Sequence, residues 1–553
     1  MSAALFFFPE AYSIDGPKLM GRNSAGESFL RGYLAHSRAQ VFRAMVDQPE
    51  HGRVFARKVK EAGRQEPVEI LNRRQPAGLA KAGTLYYPAP NFNDECRRRA
   101  LFADTGWSVC GLTHTLSSTA PMDALTDYLV APVQPWDALI CTSTVARDTV
   151  RVLWQAQADY LRQRLGIQRL VLPQLPVIPL GLNTADFAAS PDDRIRARQQ
   201  LGADDNTRVV LFSGRLSFHA KAHPLAMYQA LERAAAQLPA GTHVLLVECG
   251  QHSSPAAAQA FQTAARLACP SVRVLTVDGR ERDQYRLAWA GADMFCSLSD
   301  NLQETFGLTP IEAMAAGLPV VVSDWNGYKD TVRDGIDGFR IPTLMPGAGA
   351  GVELAMRHAL EIDNYDMYCG HTSTLVAVDI EAATAAFVRL LASPELCRSM
   401  GEAGRQRARQ TYDWSVVIAQ YEALWDELAG IRQASQTENA ARRSPWPARM
   451  DPFAAFASYP THRLTPETLC ELALPDLEAA VARLESLRHL DMVAYARHVL
   501  PTTDEARSVL TAAADGPRPA GTLVSQIPAA RRGAVLRSLT WLVKMGVLRV
   551  LAG

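Results

Sequence analysis

From residue 4 to about 345, short apolar runs alternate with stretches of helical period, the pattern of doubly wound α/β domains with parallel sheets. In the first half the runs predict strands at 4–8, 68–71, 84–87, 108–112, 138–141 and 177–180. Helical periodicity covers 28–46 and 144–165 between them. A Pro/Gly turn and an Asp-rich polar stretch over 181–205 interrupt the alternation, which resumes with strands at 208–213, 242–248, 272–277, 294–297 and 319–323. The expected architecture is therefore two Rossmann-like domains, 1–182 and 183–394, facing a cleft. Amphipathic helices over 395–430 follow, then an aperiodic Gln/Ser/Asn/Arg/Pro linker at 431–452. The last part, 453–553, reads as a separate helical unit with helices at 504–514, 522–527 and 531–545 and a strand at 547–551, a winged-helix-like pattern.

Composition narrows the function classes. The 57 Lys and Arg residues balance 57 Asp and Glu, so no bulk charge draws the chain toward nucleic acid or membrane. Nine scattered cysteines form no CxxC pair and have no histidine companion at metal spacing, so reduced core thiols are expected. The N-terminal apolar run is far shorter than a membrane span and ends at Pro9, which predicts a soluble, cytoplasmic protein.

The chemistry concentrates in one segment. Glu304 and Glu312 bracket the turn Phe306-Gly307-Leu308, which opens a short helix feeding a buried strand. Thr309-Pro310-Ile311-Glu312 reads as an N-cap, a first-position proline and a capping-box glutamate, so Glu312 has a structural reason to be there as well as a ligand-binding one. Glu304 has no capping role in this reading and sits on the ligand edge of an open sheet. In the other half-site, the strand 208–213 ends at Gly214, and Arg215 and Lys221 follow in the loop. A guanidinium fork and an ammonium point charge suit a diphosphate. Gly26 falls in a small-residue loop over 19–27, where amides would approach a phosphate or sugar. His114 follows the strand 108–112 in the polar stretch Thr113-His114-Thr115, at the predicted cleft edge.

Together these motifs resemble the GT-B glycosyltransferases of family 4. The resemblance rests on Glu304-x7-Glu312 followed by Ala313-Met314-Ala315-Ala316-Gly317-Leu318-Pro319-Val320-Val321, on Gly214-Arg215 and Lys221, on the hinge segment 177–187, and on Tyr412-Asp413-Trp414-Ser415. It covers 4–430 and is strongest over 177–345. It implies a retaining, metal-independent transfer from a nucleotide-diphosphate sugar (UDP, GDP or ADP), without a prosthetic group, to a glycan, lipid or small-molecule hydroxyl. Glu304 would lie against the donor sugar, Glu312 on the ribose, Arg215 and Lys221 on the diphosphate, and His114 near the reacting carbon. Trp414 would lie where the last helix crosses back to the first domain. Thr305 replaces the glycine usual after the first glutamate, and Gly21…Gly26-Glu27 replaces the usual Gly-Gly loop.

Two other readings share these residues. One is a GT-B-type epimerase or phosphorylase, and the other a regulatory or scaffold protein with a degenerate transferase core. Arg531, Arg532, Arg537, Lys544 and Arg549 would suit DNA, but Leu536, Leu539, Leu542 and Val543 form an apolar face that favours a homodimer through 453–553. The stretch 53–60 is an amphipathic helix with enough cations for peripheral contact with anionic membrane.

Overall fold

The computed structural model describes residues 3–13, 21–435 and 446–551. Its first sheet comprises β1 (Ala4–Phe6), β2 (Phe42–Val46), β3 (Val68–Asn72), β4 (Thr84–Tyr86), β5 (Ser108–Leu112) and β6 (Ala138–Ile140), all parallel in the order β3-β2-β1-β4-β5-β6. The second comprises β7 (Thr207–Ser213), β8 (His243–Gly250), β9 (Arg273–Asp278), β10 (Met294–Ser297), β11 (Val320–Ser323) and β12 (Gly338–Ile341), in the order β12-β11-β10-β7-β8-β9. Counted from its own first strand, each sheet has the same doubly wound order, with its switch point between the first and fourth strands. This is the two-domain GT-B plan.

Three expectations need correction. The helical stretch 28–46 divides into helix Gly21–His36 and strand β2, because beyond Ser37 the apolar period changes to two. Phe42, Ala44 and Val46 enter the core on one side of the sheet, and Met45 the core on the other. The segment 177–180 makes a single parallel bridge, Cys141 to Val177, rather than a strand; Pro176 and Pro179 cannot donate to a longer ladder. Strand β12 was not foreseen. It lies against β11 so closely that a Cβ on Gly338 would fall 1.9 Å from the Val320 carbonyl oxygen.

A short antiparallel pair, β13 (Thr343–Leu344) and β14 (Ala377–Val378), brackets helices Val352–Ala359 and Tyr365–Ser373. The chain then returns to the first domain. Leu182 and Asp413 form a parallel bridge at the hinge, and helix Trp414–Ala434 packs Trp414, Val417, Ile418, Tyr421, Trp425 and Leu428 into the core of the first sheet. Trp414 lies at the crossing expected of it. The helix runs to Ala434, into the segment read as linker, whose residues 436–445 lie outside the described residues.

Residues 1–446 and 447–553 are separate compact units. In the second, β15 (Leu469–Leu472) pairs antiparallel with β16 (Arg518–Pro519) and β17 (Leu548–Val550), and the first two of these strands were not anticipated. Leu539 and Leu542 are fully buried in this unit's own core, with Leu536 and Val543 packed against it, so that face is already used. Arg531 pairs with Glu505 and Arg549 with Glu471, which neutralises two of the five cations considered for DNA. The nine cysteines are unbridged, and eight of them are buried. Among the described residues no helix is long and apolar enough to cross a membrane.

Candidate active site

The loops leaving β7 and β10 flank the switch point of the second sheet, and they carry the two halves of the candidate site. Backbones close up here: a Cβ on Gly250, at the end of β8, would lie 1.8 Å from the Gly214 carbonyl oxygen. Lys221, from the β7 loop, places Nζ 2.5 Å from Glu304 Oε2, from the β10 loop, with both side chains less than one-fifth exposed. Burial pushes the Glu304 carboxyl up, but Lys221 and the amides of Phe306 and Gly307 outweigh it and hold the group below 4.5. Burial likewise opposes the Lys221 ammonium, and Glu304 more than restores it. Arg215 is exposed; its Nη2 donates to the Ala220 carbonyl and to Gln303 Oε1, at 2.9 and 2.8 Å.

The capping reading of Glu312 is not what forms. Helix Leu308–Ala316 has Gly307 as its N-cap, so Thr309 and Pro310 already lie inside it and no side chain caps it. Gly307 adopts φ +89°, and a Cβ there would strike the Tyr328 ring at 2.1 Å. It therefore supplies the turn that only glycine fits. The roles of the two acids are exchanged relative to expectation. Glu304 braces the turn through the Phe306 and Gly307 amides, whereas Glu312 has no capping task. Glu312 is partly buried and accepts from Tyr285 Oη at 3.4 Å. Burial pushes it up to about 7, with Tyr285 and Lys221 offsetting part of that rise. Phe306 is buried in the core beneath the turn, and Leu308 is partly exposed.

His114 lies just beyond β5, where its Nε2 donates to the Pro88 carbonyl oxygen at 2.8 Å. This contact places the proton of the neutral ring on Nε2. Gly26 is not in a loop. It lies inside helix Gly21–His36, and a Cβ on it would meet the Ala11 carbonyl oxygen at 2.0 Å, so close helix packing accounts for the glycine. Of the loop expected there, residues 19 and 20 lie outside the described residues.

Several contacts bring the two sheets' domains together and were not read from the sequence. Ser143 Oγ donates to the Thr305 carbonyl at 2.7 Å, so the residue replacing the usual glycine meets the first domain through its backbone. Thr144 donates its amide and hydroxyl to Asp330 at 2.5 and 2.6 Å, at the start of helix Thr144–Leu165. Tyr365 reaches Thr115 and Ser117, both at 3.0 Å. A sequence signal was present for Ser143, a serine just ahead of a helical run. Nothing in the sequence pointed to Tyr365.

Residues 193–347 match the family described as Glycosyl transferases group 1. That stretch encloses all six strands of the second sheet together with Arg215, Lys221, Glu304 and Glu312. The chain is 33% identical over 177 residues to the D-inositol 3-phosphate glycosyltransferase of Mycolicibacterium gilvum, covering 32% of this chain and 38% of that protein. It is 32% identical over 200 residues to that of Mycolicibacterium vanbaalenii, covering 34% and 42%. It thus spans about two-fifths of the length of these curated relatives. Among solved structures, HepE of Anabaena in complex with UDP and glucose aligns over 77% of this chain and 100% of its own, with 16% identity and a TM-score of 0.48. Sucrose-phosphate synthase of Thermosynechococcus elongatus aligns over 78% and 99%, with 18% identity and a TM-score of 0.47.

Proposed function

We propose that the chain is a retaining glycosyltransferase of the family 4 type, moving a sugar from a nucleoside diphosphate to an acceptor hydroxyl. The observation that carries this reading is the meeting of Lys221 and Glu304 from two loops at the switch point, with the Arg215 guanidinium exposed beside Gln303. Arg215 and Lys221 would hold the diphosphate, and the N-terminus of helix Leu308–Ala316 adds its dipole. Glu312, free of any capping task, would accept the ribose hydroxyls.

In the reaction the bond from the anomeric carbon to the phosphate oxygen breaks, and its electron pair leaves on the diphosphate. The acceptor oxygen bonds to that carbon on the same face, and its proton passes to the departing phosphate. Glu304 is not the nucleophile in this scheme. Braced by Lys221 and two amides, it orients the sugar and stabilises oxocarbenium charge. The two cations supply the positive charge at the diphosphate, so EDTA should leave turnover unchanged. The same reading puts the protein in the cytoplasm, with peripheral contact at the membrane's inner face.

Binding of UDP-, GDP- and ADP-sugars, followed by thermal shift and by product analysis with candidate acceptors, tests the proposal. A stabilising donor and an α-linked product from an α-linked donor are expected. No stabilisation by any of the three would refute it.

A further inference from the structure

Helix Tyr365–Ser373 touches a loop of each sheet's domain. At one end it is seated on the cation loop: a Cβ on Gly370 would lie 3.0 Å from His219 Cβ, which leaves little room for a larger residue. Cys369, fully buried, adjoins Gln303, the residue that accepts from Arg215. At the other end the Tyr365 hydroxyl lies 3.0 Å from both Thr115 Oγ1 and Ser117 Oγ, on the loop that begins at His114. A phenol donates one hydrogen bond and accepts others, so two hydroxyl partners fit it. Burial pushes its pKa up to about 12, so the proton needed for this bridge stays in place at neutral pH.

The preceding helix reinforces the span. His358 Nε2 is 3.4 Å from Thr119 Oγ1, and its ring stacks on Tyr368 at 4.5 Å. Asp363 accepts two bonds from Arg357 at 2.9 Å and lies 3.0 Å from His371 Nδ1, which knits the two helices into one pair.

We propose that Tyr365 is a positioning residue: it ties the loop that binds the diphosphate to the loop 113–119 and so holds His114 over the donor sugar. This rests on the glycosyl-transfer reading of the site. A diphosphate on Arg215 competes with Gln303, and that exchange is felt at Cys369 and along the helix to Tyr365. Displacing a reacting group by an ångström is enough to cost about a hundredfold in rate, so a loosened loop shows in turnover before it shows in binding.

The test compares the full chain with Y365F, the pair T115V/S117A, and the triple variant. Donor hydrolysis without acceptor serves as the turnover assay. Water takes the acceptor's place, the anomeric carbon–phosphate oxygen bond breaks, and sugar, nucleoside diphosphate and one proton are released. UDP-glucose, UDP-N-acetylglucosamine, GDP-mannose and ADP-glucose are the probes, with calorimetric affinities for UDP, GDP and ADP alongside. Y365F should keep nucleotide affinity within about twofold and Tm within about 2 °C while kcat falls about tenfold or more. T115V/S117A should match it, and the triple variant should lose no more. Hydrogen exchange of 113–119, measured without ligand, should be faster in Y365F. Unchanged kcat, multiplicative losses in the triple variant, or unchanged exchange would each overturn the proposal. A parent that binds none of the nucleotides refutes the glycosyl-transfer reading, and this proposal with it. A parent that turns over alongside an indifferent Y365F removes this proposal alone.

Discussion

Glu304 and Glu312 are eight residues apart, and the fold drives their proton affinities in opposite directions. Glu304 is coupled to Lys221, so removing either partner leaves a mostly buried charge unmatched. E304A and K221A should each cost roughly 2–4 kcal/mol, somewhat below the figure for a fully buried pair. The double variant should cost less than their sum by about 1–3 kcal/mol, read from a urea denaturation cycle. Glu312 has the opposite sign. Its folded pKa is raised from 4.5 to about 7, so between those values the folded state keeps a proton that the unfolded chain has lost. Stability from this group is therefore fully present below pH 4.5 and declines as pH rises through 7. E312Q should match the parent near pH 4 and exceed it at pH 8 by at most about 3 kcal/mol, less what partial exposure screens. The same variant should weaken nucleotide-sugar binding. Greater stability with poorer binding would mark Glu312 as a ligand group; equal stability at both pH values would remove the argument.

At the scale of elements, legibility followed burial. Strands β5 and β10 were read to the residue because continuous apolar runs ended by polar or turn residues leave little choice. Strand β2 was missed because its apolar residues continue the helical phase of Phe29, Leu30, Tyr33 and Leu34 until the period changes. The cation loop and the acid turn were readable as candidates, since each follows a recognisable strand. The exchange of roles between the two acids was not, because it depends on where the helix starts, and Gly307 moves that start ahead of Thr309. Tyr365 was unreadable for a different reason: its partners are about 250 residues away and its neighbours look like ordinary surface helix. The helix start carries its own prediction. G307A adds a Cβ at positive φ against Tyr328, so it should destabilise by about 1–3 kcal/mol and lower Tm by several degrees. Y328A is itself costly, because Tyr328 is fully buried, but it removes the clash, so the double variant G307A/Y328A should cost less than the sum of the two single losses.

For the two-sheet unit as a whole, the decisive element is the returning helix. Residues late in the sequence complete the core of the first domain, so that domain's stability depends on a segment beyond the second one. Trp414 is the pivot. It is 1% exposed, its Nε1 donates to Ser28 Oγ at 2.8 Å, and it crosses Phe29 edge-on at 5.6 Å. Gly32 and Gly181 leave space for its ring, since a Cβ on either would fall within 2.3 Å of it. Beside it, Leu182 donates its amide to the Tyr412 carbonyl at 2.7 Å, and the Trp414 amide donates to Leu182 at 3.1 Å, so the two crossings between domains run side by side. W414A should therefore cost about 3–5 kcal/mol through the cavity alone. W414F, which keeps most of the packing and loses the bond to Ser28, should cost about 1–2 kcal/mol. Because the loss falls on the first domain, hydrogen exchange in W414A should accelerate in β1, β2 and β4 while β7 and β8 keep the parent's protection. Equal acceleration in both sheets would show instead that the domains unfold as one, with the hinge too stiff to let the first open by itself.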